Sequence, residues 1–393
     1  MNGRIGVWFI GARGSVATTT VVGALAIGAG AAGRTGCVAD LPGPDAAGAP
    51  DISDLVFGGH DVTATTLPKR AEALAQAGVV PAHLPAAVVD GLADVDARIR
   101  HGVLADHGPQ RASADRIEAD LREFRSANEL DRVVVIDISS TEPPLSAAAT
   151  AATASPDALE AALDGPVPVL PASCLYAYAA FRAGCAYVGF TPSPGPRPDA
   201  IAALAATRGL PWAGSDGKTG ETLLKSALAP MFATRALRVR SWSSVNLLGG
   251  GDGETLADPA NADSKTASKA HGLPQMLGHA VDGPLHIDYV PDMGDAKTAW
   301  DHISFEGFLG TRMTLQFTWA GIDSALAAPL VLDLARLVAR AHEAGEAGPL
   351  PALGFFFKDP AGTDEHRLAA QWDALVAWCA RLGSTTGGTG VTP

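Results

Sequence analysis

Lysine is scarce in this sequence, and most of the lysines stand where they could do chemistry together. Only seven of the 29 basic residues are lysines, and six of these lie in the second half of the chain. Lys265 and Lys269 are four residues apart, so on a helix their ammonium groups share one face and repel each other unless an anion lies between them. Lys358 follows three phenylalanines, which predicts a partly desolvated amine with a lowered pKa, suited to proton transfer.

Together with Lys297 and Asp252, these lysines predict one pocket with several cationic groups. Such a pocket could bind a phosphate and stabilise the oxyanion of an enolate in the same cavity, a combination that indicates sugar-phosphate chemistry. The alternative is that each lysine lies on a solvated face or extends its ammonium group towards water. That alternative explains a single lysine as well as the pocket does, but it explains the whole group less well.

The elements that would position this chemistry begin with a short apolar strand, Arg4–Ile10, and a helix that runs to about Ile27. The turn between them fits G-x-x-G-x-x-A, a relaxed dinucleotide-binding fingerprint whose glycines let the backbone approach a pyrophosphate. An acidic residue for the ribose is expected about 20 residues further on, but Asp40 and Asp61 both lie later, so the ribose partner stays open. The turn residues predicted to bind the cofactor are Gly11, Ala12, Arg13, Gly14, Ser15 and Val16.

A second ligand-facing loop follows the clearest buried strand, Arg132–Ile138. Because this strand ends in a polar run, Ser139–Glu142, its carboxyl end is expected to face a ligand, as in doubly wound α/β folds. Shorter patterns predict further elements. Strands are expected at Leu55–Phe57, Ala186–Phe190, Leu237–Ser243 and Met313–Thr318, with Cys37–Asp40 as a further strand, and helices at Asp157–Leu163, Leu175–Ala183 and Leu326–Ala344.

Composition and charge exclude several classes of protein. The chain has 393 residues, of which 47% are hydrophobic and 18% charged, as in folded soluble proteins. A net charge of −13 gives no basic footprint for nucleic acid or an anionic membrane surface. No apolar segment is long enough for a membrane span. The four cysteines form no CxxC pair, so buried free thiols and a cytoplasmic protein are expected. No metal is expected, since a recognised ligand spacing is lacking in the group His286, Asp288, Asp292 and Asp295.

Six sequence blocks, in order along the chain, resemble the signature blocks of the inositol-3-phosphate synthase (myo-inositol-1-phosphate synthase) family. The same order begins at the N-terminal glycine turn and continues through Gly58-Gly-His-Asp and Ser140-Thr-Glu-Pro, so the resemblance covers most of the chain. The six blocks are Gly214-Ser-Asp-Gly-Lys-Thr-Gly-Glu-Thr, Asn246-Leu-Leu-Gly-Gly-Gly-Asp-Gly, Ser264-Lys-Thr-Ala-Ser-Lys, Val290-Pro-Asp-Met-Gly-Asp-Ala-Lys, Asp323-Ser-Ala-Leu-Ala-Ala-Pro-Leu and Phe357-Lys-Asp-Pro.

The resemblance implies an α/β fold in which an NAD-binding Rossmann domain is interrupted by an α/β catalytic and tetramerisation domain. The expected bounds are residues 1–222 and 323–382 for the Rossmann domain and 223–322 for the inserted domain. The composition of residues 383–393, which can bury little apolar surface, separately predicts a disordered tail. The resemblance also implies NAD as a cofactor recycled in each turnover, a small sugar phosphate as the substrate, and a homotetramer.

The chemistry that the resemblance implies is oxidation of glucose 6-phosphate at C5, enolisation at C6, aldol closure on C1 and return of the hydride. The family's lysines that hold the phosphate and stabilise or relay protons to the reacting oxygens match Lys265, Lys269, Lys297 and Lys358. Acidic partners in the same blocks match Asp216, Asp252 and Asp295. The further residues expected at the cofactor are Asp61, Ser139, Ser140, Thr141, Asp216, Asp323 and Ser324.

Two blocks depart from the family pattern. The family's first glycine loop usually reads Gly-x-Gly-Gly-Asn-Asn-Gly, so phosphate is expected to be held differently here. The family's Asn-His-Leu-Gly-Asn-Asn-Asp-Gly block has Gly250 and Gly251 in place of two amide side chains that could bind sugar hydroxyls. Losing such donors weakens discrimination, because a site built for a hydroxyl selects by pairing it. The predicted substrate-binding residues are Asn246, Gly250 and Gly251 together with the four lysines of the pocket.

Three alternatives to cyclisation of glucose 6-phosphate stay open on the sequence. Fructose 6-phosphate could be oxidised at C5 and closed by attack of C6 on the C2 ketone, which would form a five-membered ring, as in relatives that make carbocyclic nucleoside precursors. An ordinary dehydrogenase would accumulate NADH in step with its product. A non-catalytic NAD-binding regulator would keep its function after loss of Lys265 or Lys358.

Overall fold

The first part of the chain alternates strands and helices. This computed structural model describes residues 3–103, 109–250 and 272–384. The strands of the first part are β1 (Ile5–Ile10), β2 (Leu55–Asp61), β3 (Ile99–His101), β4 (Arg132–Asp137), β5 (Ala186–Gly189) and β6 (Pro211–Gly214). The α-helices are α1 (Ser15–Gly28), α2 (Leu67–Gln76), α3 (Leu84–Ala87), α4 (Val89–Asp96), α5 (Gln110–Ala127), α6 (Ala147–Ala152), α7 (Pro156–Leu163), α8 (Ala172–Arg182) and α9 (Asp199–Thr207).

The second part of the chain is built around a separate set of strands and then returns to the first part. It begins with helix α10 (Glu221–Thr234) and contains a helical segment, α11, at 272–277. Its strands are β7 (Arg238–Leu248), β8 (Leu285–Tyr289), β9 (Ala296–Glu306) and β10 (Arg312–Ile322). The returning elements are α12 (Asp323–Glu343), the two-residue strand β11 (Gly348–Pro349) and α13 (Leu368–Ser384).

The larger sheet has seven parallel strands in the order β11-β6-β5-β4-β1-β2-β3. The direction of strand succession reverses between β1 and β4, so a crevice forms outside the carboxyl ends of these two strands. Open α/β sheets bind their ligands at such a switch point. The structure thus confirms the predicted Rossmann-like α/β fold and places the glycine turn and the Ser139 loop side by side.

Strand β1 shows why these sequences form a sheet buried on both faces. Val7 and Phe9 pack into the apolar layer that contains α1 and α12, whereas Trp8 and Ile10 pack into the layer of α5 and α8. All four side chains are 6% exposed or less. A parallel strand that helices cover on both faces has a continuous apolar sequence, and the sequence of β1 is of this kind.

The second sheet has four strands in the order β10-β9-β7-β8 and interrupts the Rossmann-like part in the sequence. Helix α10 covers one face, where Phe232 packs with Trp242 and Ile303. The opposite face carries Trp300, which is 40% exposed. The end of β7 and the start of β9, which lie next to each other in this sheet, point towards the crevice of the larger sheet.

The predicted strand at Cys37–Asp40 is wrong, because Val38–Asp40 form a 3-10 turn. The backbone N–H of Val38 donates to Asp333 Oδ2 at 2.5 Å, and Asp40 pairs with Arg336 at 2.6 Å, so side chains of α12 take the hydrogen bonds that a sheet neighbour would otherwise provide. The other predicted strands and helices are confirmed, and β2, β7 and β10 extend beyond their predicted ends.

All four cysteines are buried free thiols, as the sequence predicts. Burial raises the pKa of Cys37 and of Cys379 to about 12. Among the described helices, none combines the length and apolar character required to cross a membrane.

Candidate functional site

A cavity of about 330 Å³ opens at the carboxyl ends of β1 and β4. Its wall combines loops of the seven-stranded sheet with the end of β7, the start of β9 and the start of α12. The sequence-predicted site residues that line it are Gly14, Ser15, Val16, Ser139, Ser140, Thr141, Asp216, Gly250, Asp295, Lys297, Asp323, Ser324 and Lys358. Four others, Gly251, Asp252, Lys265 and Lys269, lie outside the described residues.

The glycine turn after β1 forms a cradle that has no room for side chains. Gly11 has a φ of +85°, and a Cβ added to it would lie 3.0 Å from the Cα of Ser139. Helix α1 begins at Ser15, with Gly14 as its N-cap, no side-chain cap and no acidic residue in its first turn. Its first N–H groups and its positive dipole end therefore suit the pyrophosphate of a dinucleotide, so the residues present fit NAD.

Asp61, which the sequence offers as a cofactor residue, supports the glycine turn. Its carboxylate accepts hydrogen bonds from the backbone N–H groups of Arg13 and Thr63, both at 2.7 Å. The Arg13 guanidinium pairs with Asp96 at 2.9 Å and donates to the carbonyl of Thr63 at 2.8 Å. The carbonyl of His60 accepts from Gly11 and Ala12. In the described part of the chain, Gly11, Ala12, Arg13 and Asp61 lie behind the cavity wall rather than in it.

The loop after β4 is held by a buried carboxyl group. Asp137 accepts from the Ser139 hydroxyl at 2.6 Å and from the Ser139 N–H at 3.1 Å, and burial raises the pKa of Asp137. Nearby, burial also raises the pKa of Glu142, whose carboxyl group accepts from the N–H of Ser173 at 3.2 Å. These bonds fix Ser139, Ser140 and Thr141 at the wall next to the glycine turn.

Lys358 and Asp216 form a buried ion pair in the opposite wall. The Lys358 Nζ lies 2.8 Å from Asp216 Oδ1, and the two residues are 8% and 4% exposed. Two backbone hydrogen bonds hold the segments together, from Lys358 N to the Asp216 carbonyl at 2.7 Å and from Lys218 N to the Phe356 carbonyl at 2.8 Å. The aromatic residues before Lys358 are thus part of the scaffold that fixes the pair.

Lys297 and Asp323 form a second pair where the four-stranded sheet meets the start of α12. Lys297 at the start of β9 donates to Asp323 Oδ2 at 3.0 Å, and Asp323 at the start of α12 accepts from the Thr219 hydroxyl at 3.0 Å. On the same side, Ser15 donates to Asp295 Oδ1 at 3.2 Å. The cavity therefore presents two lysine–carboxylate pairs to whatever it binds.

The glycines at the end of β7 have different surroundings. A Cβ at Gly249 would lie 2.6 Å from the backbone N and O of Gly294, whereas a Cβ at Gly250 would meet the same carbonyl at 3.6 Å. Gly249 is therefore required by close packing, and Gly250 leaves space in the wall. Asn246 is fully buried, and its amide donates to Glu221 Oε2 at 2.8 Å, so the structure places it behind the described cavity wall.

Two cationic residues at the site were missed by sequence reasoning. Lys218 is 4% exposed and donates to Gln371 Oε1, and burial lowers its pKa to about 7. It shares with Lys358 a chamber of about 10 Å³, room for one water molecule. The scarcity of lysine was a signal that could have identified Lys218. Arg70, which also lines the main cavity, had no such signal, because arginine is common in this chain.

Among the described residues, no three or more His, Cys, Asp or Glu side chains are grouped so that they could hold a metal ion.

Comparison with known proteins gives the same family as the sequence blocks. The family model for myo-inositol-1-phosphate synthase matches residues 5–380. Inositol-3-phosphate synthase 1 of Bacteroides thetaiotaomicron is 34% identical over 409 residues, which cover 94% of each chain.

Two solved structures share the fold. An inositol-3-phosphate synthase from Caenorhabditis elegans has a TM-score of 0.84 at 22% identity and covers 97% of this chain and 86% of its own. A myo-inositol-1-phosphate synthase-related protein from Thermotoga maritima has a TM-score of 0.74 at 21% identity, with 95% and 98% covered. The chain therefore belongs to the myo-inositol-1-phosphate synthase family and is an NAD-dependent isomerase of the inositol-3-phosphate synthase type.

Proposed function

We propose that the protein converts glucose 6-phosphate into a myo-inositol phosphate by oxidation at C5, enolisation at C6, aldol closure and re-reduction. The observation that supports this most directly is the placement of two lysine–carboxylate pairs, Lys358 with Asp216 and Lys297 with Asp323, in the wall of the cavity that carries the dinucleotide cradle. Simple hydride transfer does not require two such pairs, whereas closure of a ring needs repeated proton transfer to and from oxygen.

In this proposal different residues of the cavity wall bind the cofactor and stabilise the charges that form on the substrate. Gly14, Ser15 and Val16 hold the NAD pyrophosphate, and bound NAD supplies acceptance of a hydride from a carbinol carbon and its later return. The Lys297 and Lys358 ammonium groups stabilise negative charge on the enolate oxygen and on the substrate phosphate. Enolisation releases a proton from C6, and ring closure consumes one at the new alkoxide. An ammonium group that protonates the alkoxide is restored by the proton released at C6, and its carboxylate partner stabilises the restored ammonium group.

The proposal is tested by incubating the protein with NAD and glucose 6-phosphate and identifying the product by NMR. A six-membered cyclitol phosphate without net NADH is the expected result. Lys358→Met should lose at least a hundredfold in rate, and Lys69→Met, at an exposed position, serves as the matched control. A net accumulation of NADH equal to product would show a dehydrogenase instead, and full activity of Lys358→Met would contradict the assigned chemistry.

The space at Gly250 favours a second candidate substrate, fructose 6-phosphate, which would close to a five-membered ring by the same chemistry. Glycine leaves the wall without a side chain at position 250. The wall has room for one, because a Cβ there would make only ordinary contacts, the shortest at 3.6 Å to the carbonyl oxygen of Gly294. An amide at this position could select a hydroxyl pattern by pairing it. Gly250→Asn should therefore change the ratio of kcat/KM for the two sugar phosphates. An unchanged ratio would contradict a role for this position in selecting the substrate.

We further propose the organisation that accompanies this activity. Residues 1–222 and 323–382 would form the NAD-binding domain and 223–322 the catalytic and tetramerisation domain of a cytoplasmic homotetramer. Trp300 on the open face of the inserted sheet, 40% exposed, suits contact between subunits. Light scattering of the wild type and of Trp300→Lys measures the assembly, and a monomeric wild type would contradict it.

A further inference from the structure

Arg70 occupies an unusual place at the edge of the glycine cradle. It lies in the first turns of α2, which follows β2, and its side chain reaches across to the start of α1. There its Nη2 donates to the Ser15 hydroxyl at 2.8 Å. Arg70 is half-buried and lines the same cavity as Gly14 and Ser15. A guanidinium group is therefore fixed beside the helix end that the fold offers to an anion.

Among the residues that the structure describes, no neighbouring carboxylate balances the charge of Arg70. Within the described residues, Arg70 has no carboxylate within ion-pair distance, whereas Arg13 in the adjacent turn is tied to Asp96 at 2.9 Å. Asp295 is the nearby acidic group of this wall, and it accepts the hydroxyl proton of Ser15 at 3.2 Å. Because Ser15 donates to Asp295, its oxygen lone pairs are left to accept from Arg70, which keeps the guanidinium in place.

The turn itself provides few other side-chain donors. Gly11, Ala12 and Gly14 have none, Arg13 is engaged behind the wall, and Ser15 is engaged with Asp295. Backbone N–H groups and the helix dipole can bind one part of a diphosphate, but they carry only partial charge. A full positive charge with planar donors is the complement that phosphate oxygens prefer.

We propose that Arg70 is a phosphate-binding residue of the cavity and that its ligand is the pyrophosphate of NAD. Through Ser15 and Asp295 the same side chain joins the cofactor cradle to the loop before β9, so the cofactor contact and the substrate wall share one hydrogen-bonded chain. The proposal rests on NAD binding and is independent of which sugar phosphate is cyclised. The substrate phosphate offers the same chemistry, and the test separates these two sources.

The test measures binding by calorimetry with protein freed of bound nucleotide. The ligands are NAD, adenosine, which lacks the pyrophosphate, and glucose 6-phosphate. Arg70→Ala should weaken NAD binding about 10- to 100-fold, the effect of losing one charge-assisted contact, and leave adenosine binding unchanged. Arg70→Lys should retain part of the affinity, because a point charge replaces the planar donor. Arg208→Ala, at an exposed arginine, is the matched control and should bind all ligands as the wild type does.

Three results would overturn the proposal. Unchanged NAD affinity in Arg70→Ala would show that the guanidinium makes no contact with the cofactor. Equal weakening of NAD and adenosine, with no recovery in Arg70→Lys, would show a distorted cradle rather than a lost phosphate contact. Weakening of glucose 6-phosphate alone would assign Arg70 to the substrate phosphate. If the cyclase proposal failed, each of these binding results could still be interpreted, because none of the binding measurements depends on turnover.

Discussion

Replacing Lys218 by methionine tests whether this buried amine is held neutral next to the cavity. Burial lowers its pKa from 10.5 to about 7, and its Nζ donates to Gln371 Oε1. In the unfolded chain the amine keeps its ordinary pKa, so between pH 7 and pH 10.5 the unfolded state binds more protons than the folded state. The free energy of unfolding therefore rises with pH across this window, and the penalty of burying the amine is fully present only below pH 7.

The size of the effect follows from the two pKa values of Lys218. One pKa unit corresponds to about 1.4 kcal/mol, so keeping Lys218 buried costs roughly 4 kcal/mol at pH 7 and about 2 kcal/mol at pH 9. Methionine removes this cost but deprives Gln371 Oε1 of a donor, a loss of about 1–3 kcal/mol at every pH. The stability of Lys218→Met relative to the wild type should therefore fall by about 2 kcal/mol between pH 7 and pH 9.

Urea unfolding followed by tryptophan fluorescence at pH 7 and pH 9 measures this difference. Because wild type and variant share every other titrating group, those groups cancel when the two proteins are compared at each pH. Lys69→Met, at an exposed lysine, is the control and should show the same difference from wild type at both values. If Lys218→Met also shows a constant difference, to within about 0.5 kcal/mol, the amine is charged in the folded protein and the reasoning fails.

Three further predictions follow from the described contacts. Asp216→Asn and Lys358→Met should each lower kcat about 10²- to 10⁴-fold. The double variant should have about the same kcat as either single variant, because the effects of residues that act as a unit are not additive. A double variant whose steady-state loss equals the product of the two single losses would contradict this. Gly249→Ala should lower the free energy of unfolding by about 1–3 kcal/mol, since its Cβ would lie 2.6 Å from backbone atoms, while Gly250→Ala should stay within about 0.5 kcal/mol; equal urea midpoints would refute the distinction. Burial raises the pKa of Asp333 to about 7, so the wild type should lose about 2 kcal/mol relative to Asp333→Asn between pH 5 and pH 7, and a pH-independent difference in urea unfolding would count against it.

The sequence could predict the parts of the fold whose signal is local. Each of three local signals reflects a requirement of one segment. The apolar run of β1 reflects burial on both faces, the glycine turn reflects a tight turn, and the polar run after β4 reflects exposure at the end of a strand. The position of Ser139 beside Gly11 then follows from the rule that neighbouring parallel strands end at one edge. The same local reasoning failed at Cys37–Asp40, because α12, almost 300 residues later in the sequence, provides the side chains that bind this segment.

The partners of the lysines could not be predicted from spacing. Asp216 and Lys358 are 142 residues apart in the sequence, and their contact depends on backbone hydrogen bonds between two loop segments that only the folded chain brings together. Lys297 and Asp323 are closer in sequence, but they meet because β9 and the end of β10 are antiparallel neighbours. A sequence block can identify a lysine as unusual, whereas the topology determines which carboxylate forms an ion pair with it.

These pairings change the electrostatic picture that lysine scarcity suggests. The sequence predicts a local positive site, yet the described wall of the cavity carries three cationic side chains, Arg70, Lys297 and Lys358, and as many carboxylates, Asp216, Asp295 and Asp323. Within the described wall these charges balance, so Lys297 and Lys358 act on a substrate phosphate or an enolate oxygen by direct contact rather than through a net positive charge of that wall. Each pair places a carboxylate beside its lysine, where it can stabilise the ammonium group that re-forms after a proton transfer. Attraction then depends on groups without such a partner, and within the described wall that description applies to Arg70 and the start of α1.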